Sequence, residues 1–448
     1  MTALALRSLR KRTGAFVASF LALFLGATIL MAFASMLDTA SGTSGTAHET
    51  LVTMASVVGG WGLLLVVFAV TSTLTLSVRQ RSAEMALLKS IGATPAQLTR
   101  MITGEAAGLA VVAALLAIGP AVLAGRGLLA LLHGTDQVPE DVSHAFGPIA
   151  ISMGAGITFV SAVGAALLTA RRLARGRIAD TLAETDSGRL TRKRIGLAGL
   201  FFAVALSEVI VTVTVMKDEG SGAMATSGQA DIFAALGLAL LAPAIVRRAG
   251  AVLAGPLRWF GGVAGDLAVT GMLRRTSTMA AAVTPVILFT GIAVGTLYLQ
   301  STENAAATAA GIVKTPEDKN IETLNFVVIG MVVLFAAIML VNTLVAATAH
   351  RRREFGQTRL AGATPRQVMA TVAVESAVLT VIGVACGSVA SLFTIVPFSL
   401  VRVDSPMPEG DVWTYVAVVA LAAVLTGATA GTATRRVLRT PAIEAVSA

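Results

Sequence analysis

The side chains best placed to do chemistry in this chain are charged, and they come in two matched sets. Arg81, Glu84 and Lys89 lead into Gly92-Ala93-Thr94-Pro95, followed by Gln97 and Glu105. Arg351, Glu354 and Arg359 lead into Gly362-Ala363-Thr364-Pro365, followed by Gln367 and Glu375. Each residue finds its counterpart 270 positions on, as Glu84 does in Glu354 and Glu105 in Glu375. Guanidinium, ammonium and carboxylate groups at this spacing can pair with one another or with a partner's surface. They do not pair a nucleophile with a base, and no Ser/His/Asp set or carboxylate pair appears elsewhere. His48, His133 and His144 lie near acids, but their spacing fits no ligand motif, and the lone Cys386 lies in an apolar run. No catalytic or metal site is expected.

The elements that must carry these residues are legible around them. Arg79 to Ile91 reads as a short surface helix, with Met85, Leu88 and Ile91 at i, i+3 and i+6 on one face. Phe355 stands where Met85 does in the other copy. Gly92 suits the position just past a helix end, where φ is positive. Thr94 is then an N-cap, Pro95 takes the first helical position, and Gln97 can reach back to the cap. Thr364, Pro365 and Gln367 repeat this capping box. Each set thus predicts a rigid corner between a surface helix and a long helix entering an apolar run, so that a push on the first moves the second as a lever. Glu105 and Glu375 lie ten residues beyond the corner prolines. Each either pairs with an arginine of its surface helix or snorkels to lipid headgroups.

Composition sets the medium. The chain has 448 residues, 55% of them hydrophobic and 13% charged, and a mean hydropathy of +0.80. Apolar runs long enough to cross a hydrocarbon core of about 30 Å recur along it. Ten spans are expected: 15–37, 54–77, 105–131, 148–170, 194–216, 230–248, 280–299, 324–348, 372–400 and 412–434. Of the 34 Lys and Arg, all but Arg126, Lys217, Lys314, Lys319 and Arg402 fall in connections on one side. The positive-inside rule makes that side, with both termini and both charged sets, cytoplasmic, and it accounts for the net charge of +9 without nucleic acid. The basic stretch at 7–12 and the Ala32-Phe33-Ala34 triplet mimic a signal peptide, but the apolar run is too long for one, so an uncleaved first helix is expected. The outer loops are short and acidic, and the longest, about 300–323, has room for a short helix.

The repeat extends past the corners. Leu9-Arg10-Lys11 matches Leu273-Arg274-Arg275, and Arg171-Arg172 matches Arg435-Arg436, both 264 residues apart. The predicted architecture is an all-α polytopic membrane protein of two parallel four-helix repeats, 1–186 and 256–448, joined by a two-span linker, 187–255. Glu208 is the one acid expected well inside a span, and an intramembrane acid is a functional candidate. Pro120 and Pro285 are expected to kink spans 3 and 7, and Asn342 to hydrogen-bond between helices.

The pattern Arg-x-x-Glu-x-x-x-x-Lys/Arg-x-x-Gly-Ala-Thr-Pro-x-Gln, with Glu eight residues on, resembles the cytoplasmic segment of the FtsX-like permease family of ABC transporters. That family includes macrolide-exporter, lipoprotein-release and bacitracin-resistance permeases. The resemblance covers both four-span halves. It implies that Arg81–Ala93 and Arg351–Ala363 are coupling helices docking two copies of a cytoplasmic ATPase subunit. The contacts would come from Arg81, Glu84, Met85, Leu88, Lys89, Gly92 and Ala93, and from Arg351, Glu354, Phe355, Arg359, Gly362 and Ala363. ATP and Mg are then expected on the partner, since no Gly-Lys pair for a phosphate-binding loop exists in this chain. The implied setting is a bacterial cytoplasmic membrane, and the implied role is export or extraction of a lipophilic or amphipathic compound such as a lipid, antibiotic or peptide. Many members carry a large extracytoplasmic domain that this chain lacks. An alternative is mechanotransmission to a sensor kinase, a cell-wall enzyme or another extracytoplasmic partner without transport. An ion-coupled secondary carrier is a third reading, against which stand the few intramembrane ionisable residues.

Overall fold

The computed structural model describes residues 13–58, 90–175, 191–218, 222–311 and 316–447, with scattered positions between 63 and 88. Within these, side chains at 13–18, 172–175, 225, 260, 316–321, 447 and parts of 324–350 are not described. Among the described residues every regular element is helical. In chain order they are α1 Thr13–Ala40, α2 Thr46–Thr53, α3 Pro95–Gly134, α4 Pro148–Arg175, α5 Arg192–Thr214 and α6 Ala223–Arg274. They continue as α7 Thr276–Ala309, α8 Pro316–His350, α9 Arg352–Leu360, α10 Pro365–Val403, α11 Val412–Leu438 and α12 Ala442–Ser447.

Eight helices among the described residues are long and apolar enough to cross a membrane. They lie on α1, α3, α4, α5, α6, α7, α10 and α11, matching eight of the expected spans. The other two, 54–77 and 324–348, fall on stretches described only in part. The helices overshoot the expected spans. At 40 residues, α3 is about 60 Å long at 1.5 Å per residue, so it carries the corner well outside a 30 Å core. The assigned helices run on through Pro120 and Pro285, and the Asn342 side chain lies outside the described residues. The expected outer loop at 300–323 is shortened from both ends, since α7 runs to Ala309 and α8 starts at Pro316.

The chain forms two compact units, residues 1–184 with 314–331, and residues 185–313 with 332–448. In the first, α1 packs against α3 and α4, which pack on each other. Small residues set these contacts, as expected where lipid supplies no hydrophobic drive between helices. Ala114, Ala117 and Ala121 of α3 meet Ala27 and Met31 of α1 in a buried cluster. At Gly154 of α4 a Cβ would lie 2.7 Å from the Met31 backbone nitrogen, so only glycine permits that approach. A second cluster joins Phe33, Met36, Leu51, Met54, Leu128 and Leu132.

In the second unit α7 is the centre, buried over most of its length and packed on α6, α10 and α11. Gly387 lets α10 cross it closely, since a Cβ there would lie 2.9 Å from the Gly291 nitrogen. The two linker helices, α5 and α6, pack against α10, and α6 also against α7. They therefore belong to the packing of this unit. Gly262, at φ 51°, breaks α6 and turns its last stretch into the elbow preceding α7. Arg258 and Asp266 pair across that break at 2.8 Å.

Candidate functional site

The second corner is described throughout. α9 ends as its sequence requires, with Gly362 at φ 100° and the Ala363 N–H donating to the Thr358 carbonyl at 3.0 Å. This 6→1 bond is the mark of a Schellman ending, and a side chain at that φ would be strained. Thr364 then caps α10. Its hydroxyl accepts from the Gln367 N–H at 3.3 Å, and Gln367 Oε1 accepts from the Thr364 N–H at 2.8 Å. The first corner repeats each feature. Gly92 has φ 96°, the Ala93 N–H reaches the Leu88 carbonyl at 2.9 Å, and Thr94 and Gln97 exchange bonds of 3.3 and 2.9 Å. In each copy four residues join the surface helix to the lever, and these hydrogen bonds hold them.

Four charged side chains meet behind the second corner. Glu375 on α10 is only 3% exposed and accepts from Arg351 at the start of α9, with Nη2–Oε1 at 3.1 Å. It accepts also from Arg275, at the junction of α6 and α7, at 3.3 Å. Arg275 and Arg351 both donate to Glu354 as well, the latter from Nε at 3.4 Å. The Arg351 guanidinium lies 4.5 Å over the Phe355 ring. A Cβ at Gly271 would come within 2.8 Å of Glu375 Oε1, so the elbow needs glycine there to let the network close. Burial and the Arg351 charge draw the Arg275 pKa below the usual arginine value, with Glu375 and Glu354 opposing them. Elbow, surface helix and lever are thus tied at one buried point. Of the two readings open for Glu375, the ion pair is what forms.

The expected contact residues divide into two groups. Arg351 and Phe355 are buried and hold α9 onto the unit. Arg359 donates to the carbonyls of Leu438 and Thr440, at 3.3 and 2.8 Å, and so caps the end of α11. Gly356 makes room for α12, since a Cβ would sit 3.0 Å from that of Ala445. The side of α9 left open carries Arg353, Gln357, Leu360, Ala361 and Gly362, with Glu354 half exposed. In the first copy Arg81, Glu84 and Lys89 lie outside the described residues. Met85 is buried and Leu88 half-buried, while Leu87, Ser90 and Ile91 are exposed. Ile91, expected to share the face of Met85, is 74% exposed, because six residues carry it about 240° around the helix axis. The exposed positions 87, 90 and 91 correspond, 270 residues on, to the exposed 357, 360 and 361. Glu105 is half-buried on α3.

Glu208 is half-buried on α5, and its carboxylate has no hydrogen bond or ion pair among the described residues. It is not the innermost acid. Asp231 on α6 is fully buried, and neither carboxylate oxygen has a partner among the described residues. Its N–H donates to Thr394 Oγ1 of α10 at 3.2 Å. One turn earlier, Ser227 and Thr394 exchange hydroxyl-to-carbonyl bonds of 2.9 and 2.6 Å. A Cβ at Gly295 of α7 would overlap the Asp231 carboxylate, so glycine makes its space. The sequence concealed this residue, since the small polar stretch 221–229 looks like a loop but is helical from Ala223, placing Asp231 two turns inside the helix.

Asp38 was also missed. Buried at the end of α1, it accepts from the N–H groups of Gly147, Ile149 and Ala150 at 2.9, 3.2 and 2.8 Å and so seals the start of α4. The histidines go separate ways. His48 Nδ1 contacts the Ala40 carbonyl at 2.9 Å, and His144 Nε2 contacts Ser35 Oγ at 3.0 Å. Burial first, and then the nearby Arg126, lower the His144 pKa below 6.5, with Asp38 opposing. Among the described residues no three His, Cys, Asp or Glu side chains gather closely enough to hold a metal.

Comparison with known families places this geometry. No curated protein matches the chain. The FtsX-like permease C-terminal family matches it twice, over residues 56–178 and 326–442, together more than half of its length. The matched stretches start 270 residues apart and end 264 apart, the same offsets as the corners and the basic tails. Each match contains one corner with its lever, and the chain belongs to the FtsX-like permease family of ABC transporters.

Proposed function

We propose that this protein is the membrane subunit of an ATP-driven transporter in a bacterial cytoplasmic membrane. ATP hydrolysis by a separate ATPase subunit drives the export or extraction of a lipophilic or amphipathic compound. The observation that carries this reading is the rigid corner, in which α9 is locked to α10 by the Arg351–Glu375 pair while its far side stays open. A docked partner that pushes on that side moves α10 without a hinge absorbing the stroke. The open side includes Gln357, Leu360 and Ala361, and in the first copy Leu87, Ser90 and Ile91. Exposed apolar groups facing the cytoplasm are what a subunit interface would cover. ATP and Mg belong to the partner in this reading, and this chain supplies shape and ion pairs.

Ten spans in two parallel repeats, with both termini cytoplasmic, complete the proposal. Short outer loops favour substrate entry sideways from the bilayer. The test is to co-express the chain with candidate ATPase subunits, reconstitute the complex in nanodiscs, and compare Leu87→Asp plus Leu360→Asp with wild type. The expected result is copurification of an ATPase with wild type and at least a tenfold drop in complex formation for the double variant. Failure of any ATPase to copurify overturns the proposal. Coupled ATP hydrolysis without movement of lipophilic compounds would replace export with mechanotransmission.

A further inference from the structure

A groove of 660 Å³ runs between α3 and α4 in the first unit. Its α4 wall is a single helical row, Phe159, Val163, Leu167 and Arg171, spaced four residues apart. The row ends in a guanidinium. From Phe159 to Arg171 the helix rises about 18 Å, close to the hydrocarbon depth of one leaflet, about 15 Å. On the facing wall Arg100 lies in the second turn of α3, and because α3 and α4 run antiparallel the two arginines stand at the same end of the groove. Both are exposed, and neither is ion-paired among the described residues. Between them and the apolar row, the Thr103 hydroxyl is buried without a hydrogen-bond partner among those residues.

We infer that this groove is a binding site for one anionic phospholipid of the cytoplasmic leaflet. The phosphate sits between Arg100 and Arg171, the Thr103 hydroxyl donates to a headgroup or ester oxygen, and an acyl chain lies along Leu167, Val163 and Phe159. Charge complementarity selects the headgroup, since two cations without an ion-pair partner among the described residues, at a membrane surface, draw an anion. The apolar row selects a lipid over a free phosphate, because a soluble anion gains nothing from it. The second half lacks the same site. At the corresponding positions it has Ala370 in place of Arg100, and Ala423, Gly427 and Gly431 in place of the apolar row, with only Arg435 kept. One site per chain follows, beside the first corner alone. The leaflet rests on the topology read from Lys and Arg. The site does not depend on ATPase docking, so lipid retention tests it separately.

The experiment is native mass spectrometry of the full chain, purified without an ATPase and stepwise delipidated from nanodiscs of phosphatidylglycerol or of phosphatidylcholine. Wild type is expected to keep one phosphatidylglycerol under conditions that strip phosphatidylcholine. Arg100→Gln plus Arg171→Gln should lower that retention at least tenfold, while Arg100→Lys plus Arg171→Lys, which keeps the charges, and Arg435→Gln in the second half should preserve it. Both substituted arginines are exposed, so the fold is not at stake, and an unchanged thermal midpoint checks this. Equal retention by the Gln pair, or equal retention of phosphatidylcholine by wild type, overturns the proposal. So does displacement of the bound lipid by soluble glycerol phosphate at equal concentration, which would make the site one for a free anion.

Discussion

Glu375 illustrates how much a single buried carboxylate can organise. It is almost wholly enclosed, and Arg351 and Arg275 reach it from two other segments. A buried charge without its partner is costly, about 3 kcal/mol or more, whereas removing both partners costs far less. Arg351→Gln leaves Glu375 only the 3.3 Å contact from Arg275 and should therefore lower stability by at most about that amount, and Arg351→Gln combined with Glu375→Gln should recover part of it. Thermal unfolding of the two single variants and the double variant, read as a mutant cycle, measures the coupling. His144 makes a different prediction. It enters between α1 and α3, facing Ser35 and Asp38 on one side and Arg126 on the other, and a Cβ at Gly125 would collide with its ring. Its pKa is lower folded than unfolded, so the unfolded chain takes up the proton first. Its contribution is complete above pH 6.5 and is lost as pH falls from there through the folded pKa. A midpoint that drops between about pH 7 and 5 in wild type, and drops less in His144→Gln, is the expected outcome.

The corners are built at the scale of elements. Each surface helix ends in a glycine at positive φ and is followed at once by a capped helix, so two rods meet without slack. Gly362→Ala should cost about 1 to 2 kcal/mol, the penalty for an L side chain in that region, with no steric clash to add, since nothing lies within 4 Å of the Cβ position. Gly92→Ala should cost the same. Denaturation of each variant checks both figures, and a much larger loss at either glycine would reveal a contact beyond its backbone. Cap, proline and glycine act over five residues or fewer, which is why these corners could be read from the sequence. The direction in which each surface helix faces could not be. Arg351 and Phe355 read as outward contacts by resemblance. They turned inward because Glu375, the buried partner of Arg351, lies on another helix, 24 residues away in the chain.

Across the whole molecule the duplication predicts a stoichiometry. Positions 87, 90 and 91 of the first corner and 357, 360 and 361 of the second are exposed, and under the proposed function they would form two docking faces per chain. Native mass of the assembled complex should correspond to one chain with two ATPase subunits. Leu360→Asp alone should leave one of them bound, since the first face keeps Leu87 and Ile91. A one-to-one complex in wild type would refute paired docking.

The membrane class, the paired corners and the 270-residue repeat were determined by sequence alone. An apolar run long enough to span a bilayer, a capping box and a C′ glycine are local in origin, and a duplication preserves them. Only the tertiary structure decided that α5 and α6 pack on the second repeat's helices, that Asp231 lies buried against α10, and that Asp38 seals α4. These depend on close approaches between helices far apart in the chain, at Gly154, Gly295 and Gly387, where a missing side chain sets the distance. A glycine in an apolar run looks the same in sequence whether it faces lipid or a neighbouring backbone, and only packing distinguishes the two.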